Sequence, residues 1–203
     1  MITLSLLGVI LGSMAGVVHL VAFAVYNRQL LRGESRPNAA TWTIWAFVAT
    51  LNCLTYFFAG QDWVKAILPV LGSLACIATL VYALVRGTLS PLAGVDLAAL
   101  AIGVAAVLVW WFYRSASFAN LVLQLAFLVS FLPTYRDVWR DPSKERPLPW
   151  FLWASAYLLL VMAVFLRWQG LITDLVYPLL ALVMHAAVGF LAQRRVAPRP
   201  INE

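Results

Sequence analysis

Seven apolar runs, each long enough to cross a bilayer, dominate this 203-residue chain. A helix that spans the hydrocarbon core, which is about 30 Å thick, needs about 20 mostly apolar residues. The runs cover approximately residues 4–26, 39–58, 62–85, 92–111, 118–139, 148–166 and 171–191. Only 11% of all residues are charged, against roughly 25% in soluble domains. We therefore predict an all-α integral membrane protein with seven transmembrane helices.

The lysines and arginines are divided unevenly between the two sides of such a bundle. The side that bears the N-terminus and the 2–3, 4–5 and 6–7 links has three of them, at Lys65, Arg114 and Arg167. The other side has eleven, at Arg28, Arg32, Arg36, Arg86, Arg136, Arg140, Lys144, Arg146, Arg194, Arg195 and Arg199. Because cytoplasmic loops are enriched in Lys and Arg, we predict a bacterial-type inner membrane protein with its N-terminus outside and its C-terminus in the cytoplasm. This topology explains the net charge of +6, so the lipid bilayer and not nucleic acid is the expected partner.

An internal repeat appears when the chain is aligned with itself at an offset of 108 residues. Residues 20–61 then match residues 128–169 without gaps, and the identical positions include two Arg pairs, two Trp pairs and one Gln pair. The match relates spans 1–3 to spans 5–7, and the single span 4 restores the chain direction between them. We predict two parallel three-helix repeats joined by a linker helix (3+1+3), with boundaries at 1–86, 87–114, 115–195 and a tail at 196–203. Parallel repeats of this kind occur in transporters, whose sites lie between the halves near the membrane midplane.

The second repeat carries the segment Phe131-Leu132-Pro133-Thr134-Tyr135, followed by a basic link and Trp150-Phe151-Leu152-Trp153. In this pattern the chain resembles the PQ-loop and SWEET superfamily of seven-helix transporters. The resemblance implies a facilitator of small polar solutes such as sugars, with Pro133 as a hinge near the cytoplasmic end of its helix. The chain departs from the family where Thr134 replaces the glutamine of the Pro-Gln pair, and spans 3 and 7 lack the asparagine with which SWEETs hold sugar.

A second resemblance is to the PnuC-type vitamin transporters, which share the 3+1+3 plan and a W-x-x-W motif. The chain has this motif twice, at Trp42–Trp45 and Trp150–Trp153. Residues three apart share one face of a helix. If that face lines the pore, the indoles close it or stack on a solute, so Trp42, Trp45, Trp150 and Trp153 are gating candidates. If it faces lipid, they belong to the interfacial belt in which Trp is enriched.

Polar side chains deep in the membrane are costly and are therefore candidates for function. Asn52 is the strongest, because its own helix cannot satisfy a mid-span amide, although helix–helix bonding is the alternative. His19 and His185 are candidates for solute binding or proton relay, since histidine titrates near neutral pH. The predicted substrate-binding residues are Asn52, Ser73, Gln124, His185 and His19. Lys65 and Asp174 occupy equivalent positions in the two repeats, which suggests either an outer gate pair or separate cap and interface roles.

The pattern as a whole predicts a transporter that works by alternating access and not an enzyme. A membrane enzyme would need a cluster of carboxylates or histidines, whereas the chain has eight acidic residues and two histidines. No cofactor, metal site or nucleotide-binding motif is predicted. A receptor or lipid-handling protein on the same fold stays open as an alternative, as do a PnuC-like vitamin or nucleoside substrate and homo-oligomerisation.

Overall fold

The computed structural model describes residues 2–34, 39–85 and 94–194, and within them the chain forms seven α-helices. The helices are α1 (Ile2–Leu31), α2 (Ala39–Gly60), α3 (Trp63–Val85), α4 (Gly94–Tyr113), α5 (Ala116–Arg140), α6 (Pro147–Leu166) and α7 (Thr173–Ala192). Six of them are long and apolar enough to cross a membrane, while α4 contributes a shorter apolar run, Leu100–Tyr113. The prediction of an all-helical chain with seven apolar helices is confirmed, with no strand in the described ranges.

The helix boundaries follow local chemistry that the sequence displays. The hydroxyl of Ser115 accepts a hydrogen bond from the Phe118 amide at 3.2 Å and caps α5. Asp141 accepts from the Ser143 amide at 3.0 Å and begins the short 3₁₀ turn Pro142–Lys144 before α6. Only Gln61 and Asp62 separate α2 from α3, and Gln61 adopts a left-handed backbone with φ of 46°. Two further sequence features that favour helix boundaries, Pro37 and Ser90–Pro91, lie outside the described residues.

The helix contacts form a closed ring with one helix outside it. Helix α3 packs against α1 and α2, and α7 packs against α5 and α6. The two sets meet where α1 contacts α6 and where α2 contacts α5. Helix α4 packs on the outside, against α5 and α2. The ring order α1–α3–α2–α5–α7–α6 leaves a central space that none of the described helices fills.

Small residues allow α1 and α3 to approach closely. A Cβ atom added to Gly12 would lie 2.6 Å from Cγ1 of Val64, and one added to Gly16 would lie 2.7 Å from Cγ2 of Ile67. Packing through small residues is the usual way in which membrane helices gain contact. The outer surface is apolar, as shown by the exposure of side chains such as Val17, Leu74 and Phe190. Such a surface suits lipid rather than water.

The two ends of the bundle differ in charge, and we name them accordingly. The Arg-rich end contains the C-termini of α1, α5 and α7, with Arg28, Arg32, Arg136, Arg140 and Arg194. The opposite end contains the α2–α3 and α6–α7 links. Four further basic residues of the predicted cytoplasmic side, Arg36, Arg86, Arg195 and Arg199, lie outside the described residues.

Candidate functional site

A cavity of about 50 Å³ lies in the space enclosed by the ring of helices. Its wall is mostly aromatic and contains no carboxylate among the described residues. The wall includes seven of the residues that the sequence singled out: His19, Trp42, Trp45, Asn52, Ser73, Trp153 and His185. Side chains from both sets of helices, α1–α3 and α5–α7, therefore meet at one site. Sequence reasoning missed Phe127, Phe131, Tyr157 and Tyr177, because an aromatic residue in an apolar span gives no sign of whether it faces lipid or a cavity.

Two polar atoms of the cavity wall have no partner. Nδ1 of His19 and Nε1 of Trp153 are buried, and neither makes a hydrogen bond within the described part of the chain. An unsatisfied buried donor or acceptor costs about 1–3 kcal/mol. Native structures contain few such groups, and each one requires an explanation such as a binding role.

His185 presents a further polar atom to the cavity. Its Nδ1 lies 2.7 Å from the carbonyl oxygen of Ala181, one turn earlier on α7. Because a carbonyl oxygen only accepts, Nδ1 carries the proton and donates. Nε2 of the neutral imidazole is then an acceptor. The ring of Tyr157 contacts both histidines, with centroids 5.4 Å from His19 and 5.1 Å from His185.

Asn52 joins the cavity wall to a buried amide cluster between α2 and α5. Its Oδ1 accepts from Nδ2 of Asn120 at 3.1 Å and from Nε2 of Gln124 at 3.0 Å. Asn120 also donates to Thr55 at 2.9 Å. The helix–helix bonding predicted as the alternative for Asn52 is thus realised, while the residue also lines the cavity. Gln124 is not part of the wall and lies behind Asn52, with its Oε1 buried and unpartnered within the described residues.

Asn120 was overlooked by sequence reasoning. It lies close to the start of α5, where a polar residue is typical of the membrane interface, yet its side chain is fully buried. Ser73, which was predicted, shares a hydrogen bond of 3.0 Å with Thr50 of α2. This contact holds α3 against α2 beside the cavity. Asn52 and Ser73 place two polar side chains in a largely apolar cavity wall, and Asn120 holds Asn52 from behind.

Aromatic side chains fill the bundle between the cavity and the Arg-rich end. We call this set the aromatic closure: Tyr26, Trp42, Trp45, Phe131, Trp150 and Trp153. The ring centroids of Tyr26 and Trp42 are 5.4 Å apart, those of Trp42 and Trp45 are 5.1 Å apart, and those of Trp45 and Trp150 are 6.0 Å apart. The first of these contacts is tilted and the other two are edge-to-face, and aromatic pairs at such distances are favourable.

The interfacial-belt interpretation is wrong for three tryptophans of the two W-x-x-W motifs. Trp42, Trp150 and Trp153 are no more than 2% exposed, because their helix faces turn into the ring and not toward lipid. Trp45 is partly buried and contacts the same cluster. The belt interpretation fits Trp63, Trp111 and Trp139, which are all more than 60% exposed.

Glu145 lies under the aromatic closure in the α5–α6 link. The hydroxyl of Tyr26 donates to its Oε1 at 3.3 Å, and Nε1 of Trp150 donates to its Oε2 at 3.2 Å. Burial raises the pKa of Glu145 to about 7, although these two hydrogen bonds partly offset the effect. Sequence reasoning missed this residue because the link is rich in charged residues of both signs and suggested a solvated loop.

Buried ion pairs fill the opposite end, and we call this set the charged closure: Asp62, Lys65, Arg167 and Asp174. Nζ of Lys65 lies 2.5 Å from Oδ2 of Asp174, and both side chains are at most 2% exposed. Nε of Arg167 lies 2.8 Å from Oδ2 of Asp62. The predicted contact between Lys65 and Asp174 is confirmed as an ion pair. Arg167 and Asp62 add a second pair that the sequence did not suggest.

Prolines lie inside three helices of the ring. Pro133 is buried in α5, at the level of the aromatic closure, and Pro69 and Pro178 occupy α3 and α7. A proline removes one backbone hydrogen bond and weakens its helix locally. The hinge role of Pro133 stays a prediction.

No family model, curated protein or solved structure matches this chain. Across the described ranges, no group of three or more His, Cys, Asp or Glu side chains is arranged to hold a metal ion. The cavity offers hydrogen-bonding groups, aromatic faces and closures of different chemistry on its two sides.

Proposed function

We propose that this chain is a membrane transporter that moves a small polar solute, such as a sugar, by alternating access. In this proposal α1–α3 and α5–α7 are the two three-helix repeats and α4 links them. The contact pattern supports the division, because α3 contacts both α1 and α2 while α7 contacts both α5 and α6. The cavity lies where the two sets face each other, as expected of a site between repeats.

The unpartnered atoms of His19 and Trp153 carry the proposal. A solute that accepts from Nε1 of Trp153 and bonds with Nδ1 of His19 would satisfy two groups that are otherwise buried at a cost. Solute sites typically combine an apolar, aromatic wall with a few such polar groups. Polar solutes with a ring, which offer both hydroxyls and a flat face, suit this combination.

The cavity volume supports a mechanism with a closed intermediate. About 50 Å³ is one third of the ~150 Å³ that holds benzene in an engineered protein cavity. A sugar therefore requires the ring to widen, and in this conformation the aromatic closure and the charged closure occupy the two ends of the bundle. Opening one closure at a time would expose the cavity to each side in turn, which is the essence of alternating access.

A nucleoside or ring-bearing vitamin is the second candidate substrate, in line with the PnuC-type alternative. The observation that favours it is the number of aromatic faces around the cavity, including Trp45, Phe127 and Tyr177. Stacking on an aromatic side chain contributes about 1–3 kcal/mol per base. A sugar gains less from such a wall than a nucleobase does.

Counterflow in liposomes tests the proposal and separates the two substrate classes. Purified protein is reconstituted with unlabelled solute inside, and uptake of labelled sugars and nucleosides is compared with empty liposomes. We expect accumulation of one class, and a strong reduction in Trp153→Phe, which removes the indole N–H. Ser155→Ala is the matched control, since Ser155 is exposed on the same helix. Absence of uptake across the whole panel would contradict transport.

We further propose that the Arg-rich end faces the cytoplasm of a bacterial-type inner membrane. The support is the excess of arginine there, as the positive-inside rule requires. Cysteines introduced at Glu34 and at Gln169, which lie at opposite ends, test this in intact cells with an impermeant maleimide. Labelling is expected at position 169 only, and labelling at position 34 alone would reverse the orientation.

A further inference from the structure

Glu145 connects helices that belong to different halves of the ring. Glu145 is 6% exposed, and its carboxylate accepts hydrogen bonds from Tyr26 on α1 and Trp150 on α6. Both donors are uncharged, and no ion pair to Glu145 is found within the described residues. A buried carboxylate without a cationic partner pays a large desolvation cost when it ionises.

Several charged groups around this link have partners other than Glu145. On α5, Asp137 lies 3.5 Å from both Arg136 and Lys144. Just after α7, Arg194 donates to the backbone carbonyls of Val138 and Trp139. Other titratable or charged groups on these elements include Tyr26 itself, His185 against the ring of Trp150, and Asp141 bound to Ser143. They also include Arg28 and Arg32 at the end of α1, Tyr135 and Arg140 on α5, Tyr157 on α6, and Arg146 beside Glu145 in the chain.

We propose that Glu145 is a proton-binding site that keeps the aromatic closure shut while it is protonated and releases it when it ionises. The proposal rests on the alternating-access function proposed above, since it names the group that controls one of the two openings. Tyr26 and Trp150 are both members of the aromatic closure, so a change at Glu145 acts directly on the side chains that block the Arg-rich end. The ligand is a proton from the solution on that side.

The direction of the pH effect follows from burial. In the closed state Glu145 keeps its proton up to about pH 7, whereas in an open, hydrated state it ionises near the ordinary value of 4.5. The closed state therefore binds the proton more tightly, and rising pH favours opening throughout the interval between these values. With these two pKa values, the ratio of open to closed molecules rises about tenfold between pH 6 and pH 8.

Cys76 provides a reporter that needs no knowledge of the solute. It lines the cavity and is buried, while Cys53, which is not part of the cavity wall, is partly exposed and can be replaced by serine. In the Cys53→Ser background, a charged, impermeant maleimide is applied to the Arg-rich face of membrane vesicles at pH 6, 7 and 8. The rate of Cys76 labelling is divided by the rate measured for a Glu145→Gln variant at the same pH. This division removes the pH dependence of the thiol itself.

The expected result is a ratio that rises about tenfold from pH 6 to pH 8, because the glutamine side chain of the reference variant cannot ionise. Tyr26→Phe should extend the rise to higher pH, since the lost hydrogen bond favours the ionised carboxylate. Glu34→Gln, which changes a more exposed carboxylate at the same end, is the control. Its Cys76 labelling should depend on pH in the same way as that of the Cys53→Ser protein. A ratio that is constant with pH would overturn the proton site alone. Failure to label Cys76 from either face at every pH would overturn alternating access as well.

Discussion

The two closures of the cavity hold the bundle together in different ways. The charged closure depends on two ion pairs with short, directional contacts, whereas the aromatic closure spreads its contacts over six rings. Removing one member of a buried ion pair leaves an unpaired charge, which is far more costly than losing one of many ring contacts. A single substitution should therefore cause a large loss of stability in the charged closure and only a small loss in the aromatic closure.

The carboxylates of the two closures also differ in their partners. Each carboxylate of the charged closure has a basic partner in the other half of the ring. Glu145 under the aromatic closure has neutral hydrogen-bond partners, so its charge state depends on pH near neutrality. The proposed control by protons therefore acts at the Arg-rich end, whereas the ion pairs at the opposite end join the two halves of the ring directly.

The largest expected effect is the loss of half an ion pair in the charged closure. Lys65→Met leaves Asp174 buried and unpaired, which should destabilise the fold by about 3–5 kcal/mol. Thermal unfolding of the detergent-solubilised protein measures the change. The double variant Lys65→Met/Asp174→Leu removes both charges and should recover most of the stability. Equal destabilisation in the single and double variants would show that packing, and not charge, governs this end.

Ionisation of Glu145 should have the next largest effect, and it should depend on pH. Below about pH 4.5 the carboxyl is neutral in both the folded and the unfolded state. The free energy of unfolding then does not depend on the charge of Glu145. As pH rises to about 7 it ionises more readily when unfolded, and the folded state loses about 3 kcal/mol relative to Glu145→Gln. Unfolding of the two proteins between pH 4 and pH 8 checks this. Parallel stability curves would be inconsistent with burial of the charge.

Overpacking between the closures should have an intermediate effect. A Cβ atom added to Gly72 would lie 2.7 Å from Nε2 of His19, so Gly72→Ala must displace that ring. Overpacking in a well-packed interior costs about 1–3 kcal/mol, and the shifted histidine should also weaken solute uptake. Gly94→Ala, where a Cβ meets nothing within 4 Å, is the matched control. Normal stability and uptake in Gly72→Ala would mean that the wall at His19 adapts freely.

The smallest effect is expected for one ring of the aromatic closure. Trp42→Phe keeps an aromatic ring beside Tyr26 and Phe23 but reduces its area, and an aromatic pair is worth about 0.5–1.5 kcal/mol. The same thermal unfolding assay should therefore show a loss of about 1 kcal/mol. A loss as large as that of Lys65→Met would remove the contrast between the two ends.

The helices could be predicted from the sequence because apolar length is a local property. The sequence repeat also led to Lys65 and Asp174, since equivalent positions in two repeats can meet across an axis. The sequence did not predict whether a side chain points into the ring or toward lipid. A tryptophan such as Trp42 or Trp150 is compatible with either environment. Glu145 was hidden for a different reason: its burial depends on the fold of a link whose composition is that of a solvated loop. Asn120 required knowledge of its partners on α2.

In the charged closure, each half of the ring contributes one acidic and one basic residue. Asp62 and Lys65 lie at the start of α3, while Arg167 and Asp174 flank the α6–α7 link. Asp62 and Lys65 are also three residues apart, a spacing at which side chains on one helix turn can reach each other. When the halves part, each acid can exchange its partner in the other half for a base in its own. Under the proposed alternating access, opening this end would therefore transfer partners between the halves and leave no charge unpaired in either of them.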